Sequence, residues 1–406
     1  MNGEIVARHI VIFRMCGKAP PVTSSDSSET SGRRSSQRDA SIDILRGLAL
    51  ITITINHITG FTDRMHMVGM QFPTLTLWGF SSAAEIFFLL SGYLVGAVYF
   101  RADRDPSVLG FADKAWRRAA KLYIYNFMLF LALLPLCLLS KDLARLSFYS
   151  WFIKGGPGTV TDFLILYIQP YCLEILVTYM VLLATAPIFA LLLRMHLAVA
   201  LLVSGALYWF AHENAWFNII GGSPVGDWRW NFNPASWQLV FFGAMAAGRY
   251  QLIARIERRA EGDWRWLAAP LLIFTALTIL FLAQGWFSFE VLYQSKVRIG
   301  PMRVLHALSV CWLMMSLLWM WPGLQRLWLM RQCAVIGSNS LQTFVASVAL
   351  SYSAGFLWIE LIPSHRAYIV LCIASVIALG LFANLYMRWK KARAIALAAK
   401  PVFADR

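Results

Sequence analysis

Apolar runs of bilayer length recur along the whole chain and constrain its fold more than any other feature. In hydrocarbon no water satisfies the backbone, so a spanning segment must be a helix or a strand of a closed barrel. A helix needs about 20 apolar residues, whereas a barrel strand needs about 10. Ten segments have helical length: 43–62, 76–100, 121–140, 168–193, 196–212, 234–250, 266–286, 304–322, 334–358 and 366–388. Composition points the same way, with 59% of the 406 residues hydrophobic and 14% charged; soluble domains carry about 25% charged residues. The sequence therefore predicts an all-α, polytopic integral membrane protein of about ten transmembrane helices.

Charge predicts the orientation. With a cytoplasmic N-terminus, 27 of the 36 lysines and arginines fall in segments on that side, the bias of the positive-inside rule. Both termini are expected in the cytoplasm. Three regions follow: a tail over 1–40, rich in Ser, Thr and Arg and expected to be disordered; a membrane domain over 41–390; and a basic tail over 391–406. The net charge of +15 comes from residues scattered among apolar runs, which argues against a nucleic-acid partner. The six cysteines show no CxxC spacing and form neither a disulfide framework nor a metal site.

Function must then come from polar groups in the bundle or at its mouths. SIDILRGLALITITINH, Ser41–His57, puts Asp43, Arg46 and His57 inside a span, where an ionisable residue costs about 2.5–3.5 kcal/mol. Arg46 and His57 lie about 20° from eclipsed and about 16 Å apart along a helix axis. One face so carries a cation near one membrane surface and an imidazole toward the other, where an uncharged imidazole can act as a general base. Snorkelling and a hydrogen-bonded core histidine are the plainer readings. In SSAAEIFFLLSGYLVG, Glu85 is expected at the depth of His57. It either orients the ring or pairs with an arginine elsewhere. Ser91, Gly92 and Gly96 suit close helix packing.

Arg117, Arg118 and Lys121 cluster at the inner mouth in FADKAWRRAAKLY. With Arg46 they suit a polyanion such as the phosphates of coenzyme A, although the positive-inside rule alone would put basic residues there. Lys296, Arg298, Arg303 and His306 in KVRIGPMRVLH fall on the outer side, in breach of that rule. They are read as a site for an anionic group, or as a loop paired with Glu290. Asn233, Trp237 and Gln238 in NPASWQLVFFGA set amides beside an aromatic face, which suits a sugar and equally a membrane belt. GSNSLQTF, Gly337–Phe344, opens the ninth segment, with a helix cap as its plainer role.

Taken in order, DILRG (43–47) with His57, AEIFFLLSGYLVG (84–96), RRAAKLY (117–123), NPASWQLVFFGA, KVRIGPMRVLH and GSNSLQTF resemble the acyltransferase-3 superfamily of integral-membrane acyl-CoA transferases. They look most like its branch that succinylates osmoregulated periplasmic glucans, the OpgC-like proteins, over most of residues 40–390. The resemblance implies a ten-helix enzyme of a bacterial inner membrane with no permanently bound cofactor. It would move succinyl from cytoplasmic succinyl-CoA to glucose hydroxyls of a periplasmic glucan. By matching position His57 would be the catalytic base, and Arg46, Arg118 and Lys121 would hold the CoA. The superfamily often shows two arginines spaced as Arg118 and Lys121 are, so lysine here brings a point charge without the bidentate fork.

The expected mechanism threads the thioester through the bundle on its pantetheine arm. The phosphates stay at the inner mouth, the carbonyl reaches His57, and Glu85 orients the ring. Lys296, Arg298 or Arg303 would take the free succinyl carboxylate. Partners are the acyl-CoA, the glucan and the bilayer, with a homo-oligomer left open. Rival readings are an O-acetyltransferase of another surface polysaccharide, a transporter or flippase of glycan or acyl donor, and a sensor or assembly scaffold.

Overall fold

The computed structural model describes residues 40–65, 69, 71–104, 106–214, 216–218, 230–260, 263–285 and 295–398. The 1–39 portion of the expected tail, Glu290, and residues 399–406 lie outside the described residues. Those described are helical, with no strand among them. In chain order the helices are α1 (Ala40–Arg64), α2 (Ala83–Leu94, prolonged by a π-turn over Val95–Tyr99), α3 (Val108–Leu139), α4 (Lys141–Leu146), α5 (Tyr149–Gly155), α6 (Pro157–Leu164), α7 (Glu174–Met195) and α8 (Leu197–Glu213). There follow α9 (Pro234–Arg249), α10 (Leu252–Ala260), α11 (Arg265–Leu282), α12 (Pro301–Met320), α13 (Pro322–Arg326), α14 (Trp328–Ser338), α15 (Ser340–Glu360) and α16 (His365–Ala398).

Eight of these are long and apolar enough to cross a membrane: α1, α2 with its extension to Arg104, α3, α7, α11, α12, α15 and α16. The other two expected spans are helical but shorter. α8 has 17 residues and α9 has 16, so they reach about 24–26 Å against a hydrocarbon core of about 30 Å. The expected span 334–358 is not one helix: Asn339 interrupts it (φ −118°, ψ 41°), and α14 and α15 meet there. Residues 141–164, between two expected spans, form the short helices α4 to α6. α16 runs on through the expected C-terminal tail as far as Ala398.

Two glycine-lined contacts set the architecture. α1 packs closely on α14: a Cβ at Gly47 would stand 1.9 Å from the Cys333 carbonyl oxygen, and one at Gly337 would stand 1.9 Å from that of Asp43. α2 lies as tightly on α9, because Gly92 faces the Phe241 carbonyl and Gly96 that of Met245. The small-residue face read from the sequence is this α9 contact. α15 lies beside α1 in the same direction, its Ser351 hydroxyl donating to the Thr54 carbonyl (3.2 Å). The bundle therefore has two distinct ends, named here for Arg46 and His57. The N-terminal ends of α2, α7, α9 and α12 gather at the His57 end.

Candidate functional site

Helix starts and a pinned loop build the His57 end. Asn233 caps α9, its Oδ1 accepting from the Ala235 N–H (3.0 Å) and its Nδ2 donating to the Phe217 carbonyl (2.8 Å). Fully buried Trp237 donates through Nε1 to the Lys296 carbonyl (3.0 Å), and Tyr208 donates to that of Ile299 (3.1 Å). The 295–300 turn is so fixed above the bundle. Gln238 is turned away into α8, donating to the Ser204 carbonyl (2.8 Å) and accepting from its hydroxyl (2.6 Å). The three residues read as a sugar platform thus hold the scaffold together. A buried amide or indole N–H needs an internal partner, and these have found theirs.

Of the two readings of Glu85, the structure shows the pairing with a distant arginine. Glu85 is fully buried at the third position of α2. Its Oε2 accepts from the Ser82 N–H (2.8 Å) and Oγ (2.7 Å), and its Oε1 from Arg303 Nε (2.7 Å) and Nη2 (2.5 Å). It therefore makes no hydrogen bond to His57 among the described residues. The capping box draws the carboxylate back toward its own helix start, and a guanidinium is a stronger partner than a neutral imidazole. Arg303 is occupied by the same pairing.

Arg298 is tied down as well, its Nη1 donating to the His212 carbonyl (2.7 Å). His306 is buried, with Nδ1 against Ser81 Oγ (2.7 Å) and its ring beside Phe274. A Cβ at Gly79 would stand 1.9 Å from His306 Nε2, so that face is closed too. Of the basic side chains in this segment, that of Lys296 alone has no hydrogen bond or ion pair among the described residues. Its ammonium lies over the Phe232 ring (5.0 Å) and near Glu85, Glu174 and Arg303. Lys296 is reachable by solvent along part of its length, yet protein atoms crowd the amine, and that desolvation lowers its pKa.

His57 stands beside this group. Its ring meets Tyr171 and Phe344 edge-on, at 6.1 and 6.5 Å between centroids, and its Nδ1 is enclosed without a hydrogen-bond partner. Arg64 lies 3.6 Å over the Tyr171 ring and donates to the Leu146 carbonyl (2.6 Å). Glu174 accepts from Asn231 Nδ2 (2.6 Å) through one oxygen and keeps the other enclosed and unpartnered. Sequence reasoning passed over Arg64, Tyr171 and Glu174. Glu174 left a signal, since it lies within an expected span. A polar cavity of about 310 Å³ opens beside Arg303, lined by Asn56, Gly79, Ser81, Ser82, Arg303 and the rings of Phe80 and Phe281; His57 is not among its lining residues.

At the other end, Arg46 is buried rather than open to a mouth. It bonds the Ser340 hydroxyl and lies 3.7 Å from Asp43. Arg117 is exposed and paired with Asp113 on its own helix (2.8 Å), and Lys121 is exposed above the Tyr125 ring (5.8 Å). Arg118 points inward, between the Tyr99 hydroxyl (3.4 Å) and the Tyr179 ring (5.8 Å). Tyr179 adjoins Phe87, and Phe87 adjoins Phe344 (5.9 Å). Aromatic rings thus run from Arg118 to His57.

The profile of a family described as OpgC protein matches residues 38–392. No curated protein matches the chain significantly.

Proposed function

Because the chain belongs to the OpgC family, we propose that it is a membrane-embedded acyltransferase moving succinyl from cytoplasmic succinyl-CoA to glucose hydroxyls of a periplasmic glucan. The observation that carries this reading is the placement of His57. A row of packed aromatic rings connects it to Arg118, and its neighbour Asn56 lines a polar cavity at the opposite end. The Arg118 end would face the cytoplasm with both termini, and the cavity would face the periplasm. His57 takes the proton of the attacking hydroxyl, the oxygen bonds to the thioester carbon, and the C–S bond breaks. The sulfur leaves as thiolate and is protonated to CoA. Glu85 then serves as the buried anchor of Arg303.

Lys296, unpartnered and beside the imidazole, would receive the distal carboxylate of the acyl group. That favours succinyl over acetyl transfer, because an acetyl group offers this ammonium no carboxylate to bond. The test uses membranes supplied with glucan and labelled succinyl-CoA or acetyl-CoA, with mass analysis of the glycan. Succinylated glucan is expected. His57→Ala should fold and lose transfer, and full activity in that variant would remove the base role.

A further inference from the structure

Buried arginines in this bundle are paired with acids where an acid is at hand: Arg303 with Glu85 and Arg46 with Asp43. Arg64 and Arg298 have carbonyl partners in place of an acid (2.6 and 2.7 Å), and Arg118 and Arg249 are held less well still. Neither has an ion pair among the described residues, although Arg249 is 8% exposed and Arg118 is turned into the bundle. Arg249 Nη1 donates to the Phe100 carbonyl (3.2 Å), and its guanidinium lies 4.2 Å over the Phe100 ring. Arg118 donates to Tyr99 next door at 3.4 Å, a long contact. In both residues Nε is enclosed with no hydrogen-bond partner.

A charge out of water without a counter-charge is among the costliest features a fold can carry. Two of them flanking consecutive residues indicate that the counter-charge arrives from outside the described residues. The local backbone is shaped to hold them there. Tyr99 ends the π-turn of α2, a helix irregularity common at functional positions. At Gly96 a Cβ would stand 2.8 Å from the Arg249 backbone nitrogen, so the end of α9 is pressed against that turn. The rings of Phe100 and Tyr250 (5.9 Å) fix the plane of the Arg249 fork.

We infer that Arg249, with Arg118, binds the phosphate-bearing end of the acyl donor beneath the π-turn of α2. Planar forks match phosphate oxygens bidentately, and two of them suit a polyanion. The identity of the ligand rests on the acyl-CoA reading above; the existence of an anion site rests on the unpaired arginines alone.

The test measures binding to the purified full-length protein of CoA, of pantetheine, which lacks the phosphates, and of inorganic pyrophosphate, with vesicles of phosphatidylglycerol as competitor. Arg249→Gln should weaken CoA about 30-fold, the loss of two charge-assisted hydrogen bonds, and leave pantetheine unchanged. Arg249→Lys keeps the charge but not the fork and should fall between. It also serves as the probe if the glutamine variant does not fold. An unchanged ratio of CoA to pantetheine affinity in these variants overturns the inference, as does an Arg249-dependent loss of lipid competition with CoA binding intact. If the wild type binds pyrophosphate through Arg249 but not CoA, the anion site stands and the acyl-CoA reading falls. If it binds CoA regardless of Arg249, the reverse holds.

Discussion

The pairing of Glu85 with Arg303 makes a quantitative prediction. Glu85→Ala removes a fully buried carboxylate that takes two bonds from Arg303 and two from Ser82. Breaking one side of a buried pair costs about 3–5 kcal/mol, and losing the capping interaction costs about 1 kcal/mol more. Together these approach a large share of the roughly 5–15 kcal/mol that stabilises a typical domain. Glu85→Gln keeps the shape but not the charge, and should cost about 3 kcal/mol. Converting both residues to methionine leaves no orphaned charge and should recover most of the loss, to within about 2 kcal/mol of wild type. Equilibrium unfolding in mixed micelles, titrated with denaturing detergent, of wild type, Glu85→Met, Arg303→Met and the double variant gives the four corners of the cycle. A Glu85→Ala variant within 1 kcal/mol of wild type, by the same expectation, refutes the reasoning. So does a double variant as unstable as the two single losses summed. If Glu85 instead orients His57, the glutamine variant will lose turnover while unfolding like wild type.

Gly337→Ala should separate α1 from α14, because its methyl meets backbone that cannot move aside; a loss above about 2 kcal/mol and a lower melting temperature are expected. Gln238→Ala should lower the melting temperature by the loss of its Ser204 bonds while leaving the KM for glucan unchanged, the opposite of a sugar contact. The lowered pKa of Lys296 means that its charge is lost at a lower pH than an ordinary lysine's as pH rises. The ratio of succinyl to acetyl transfer should therefore fall on the alkaline side, and in Lys296→Met it should be low and flat with pH.

Among the described residues, hydropathy located the eight helices long and apolar enough to cross a membrane, because a spanning segment must satisfy its backbone alone, and length with apolarity nearly suffices to define it. What it could not see were features decided by partners distant in the chain. The break at Asn339 falls in the polar GSNS run that the helix-cap reading marks, whereas the short helices over 141–164 pack on the bundle without spanning it. The site divides in the same way. Arg46 and His57 share a helix, so their common face was readable from spacing. Glu85 and Arg303 lie 218 residues apart, and no local pattern says that an acid at a helix start will meet that arginine rather than a histidine at similar depth. Asn233, Trp237 and Gln238 carry groups that sugars and scaffolds both use, and only their contacts distinguish the two.

The two longest helices carry a further consequence. α3 has 32 residues and α16 has 34, about 48 and 51 Å of rod for a hydrocarbon slab of about 30 Å. Both overhang at the Arg46 end, where Lys390 of α16 reaches the Asn339 side chain (3.2 Å). The projecting turns bear Lys114 and Arg117 on one rod and Arg388, Lys390, Lys391 and Arg393 on the other. Under the proposed acyl-CoA reading they would serve as a cationic antenna, able to collect a dilute polyanion before it meets the bundle. Raising ionic strength should then slow capture steeply and leave the rate of the captured complex untouched.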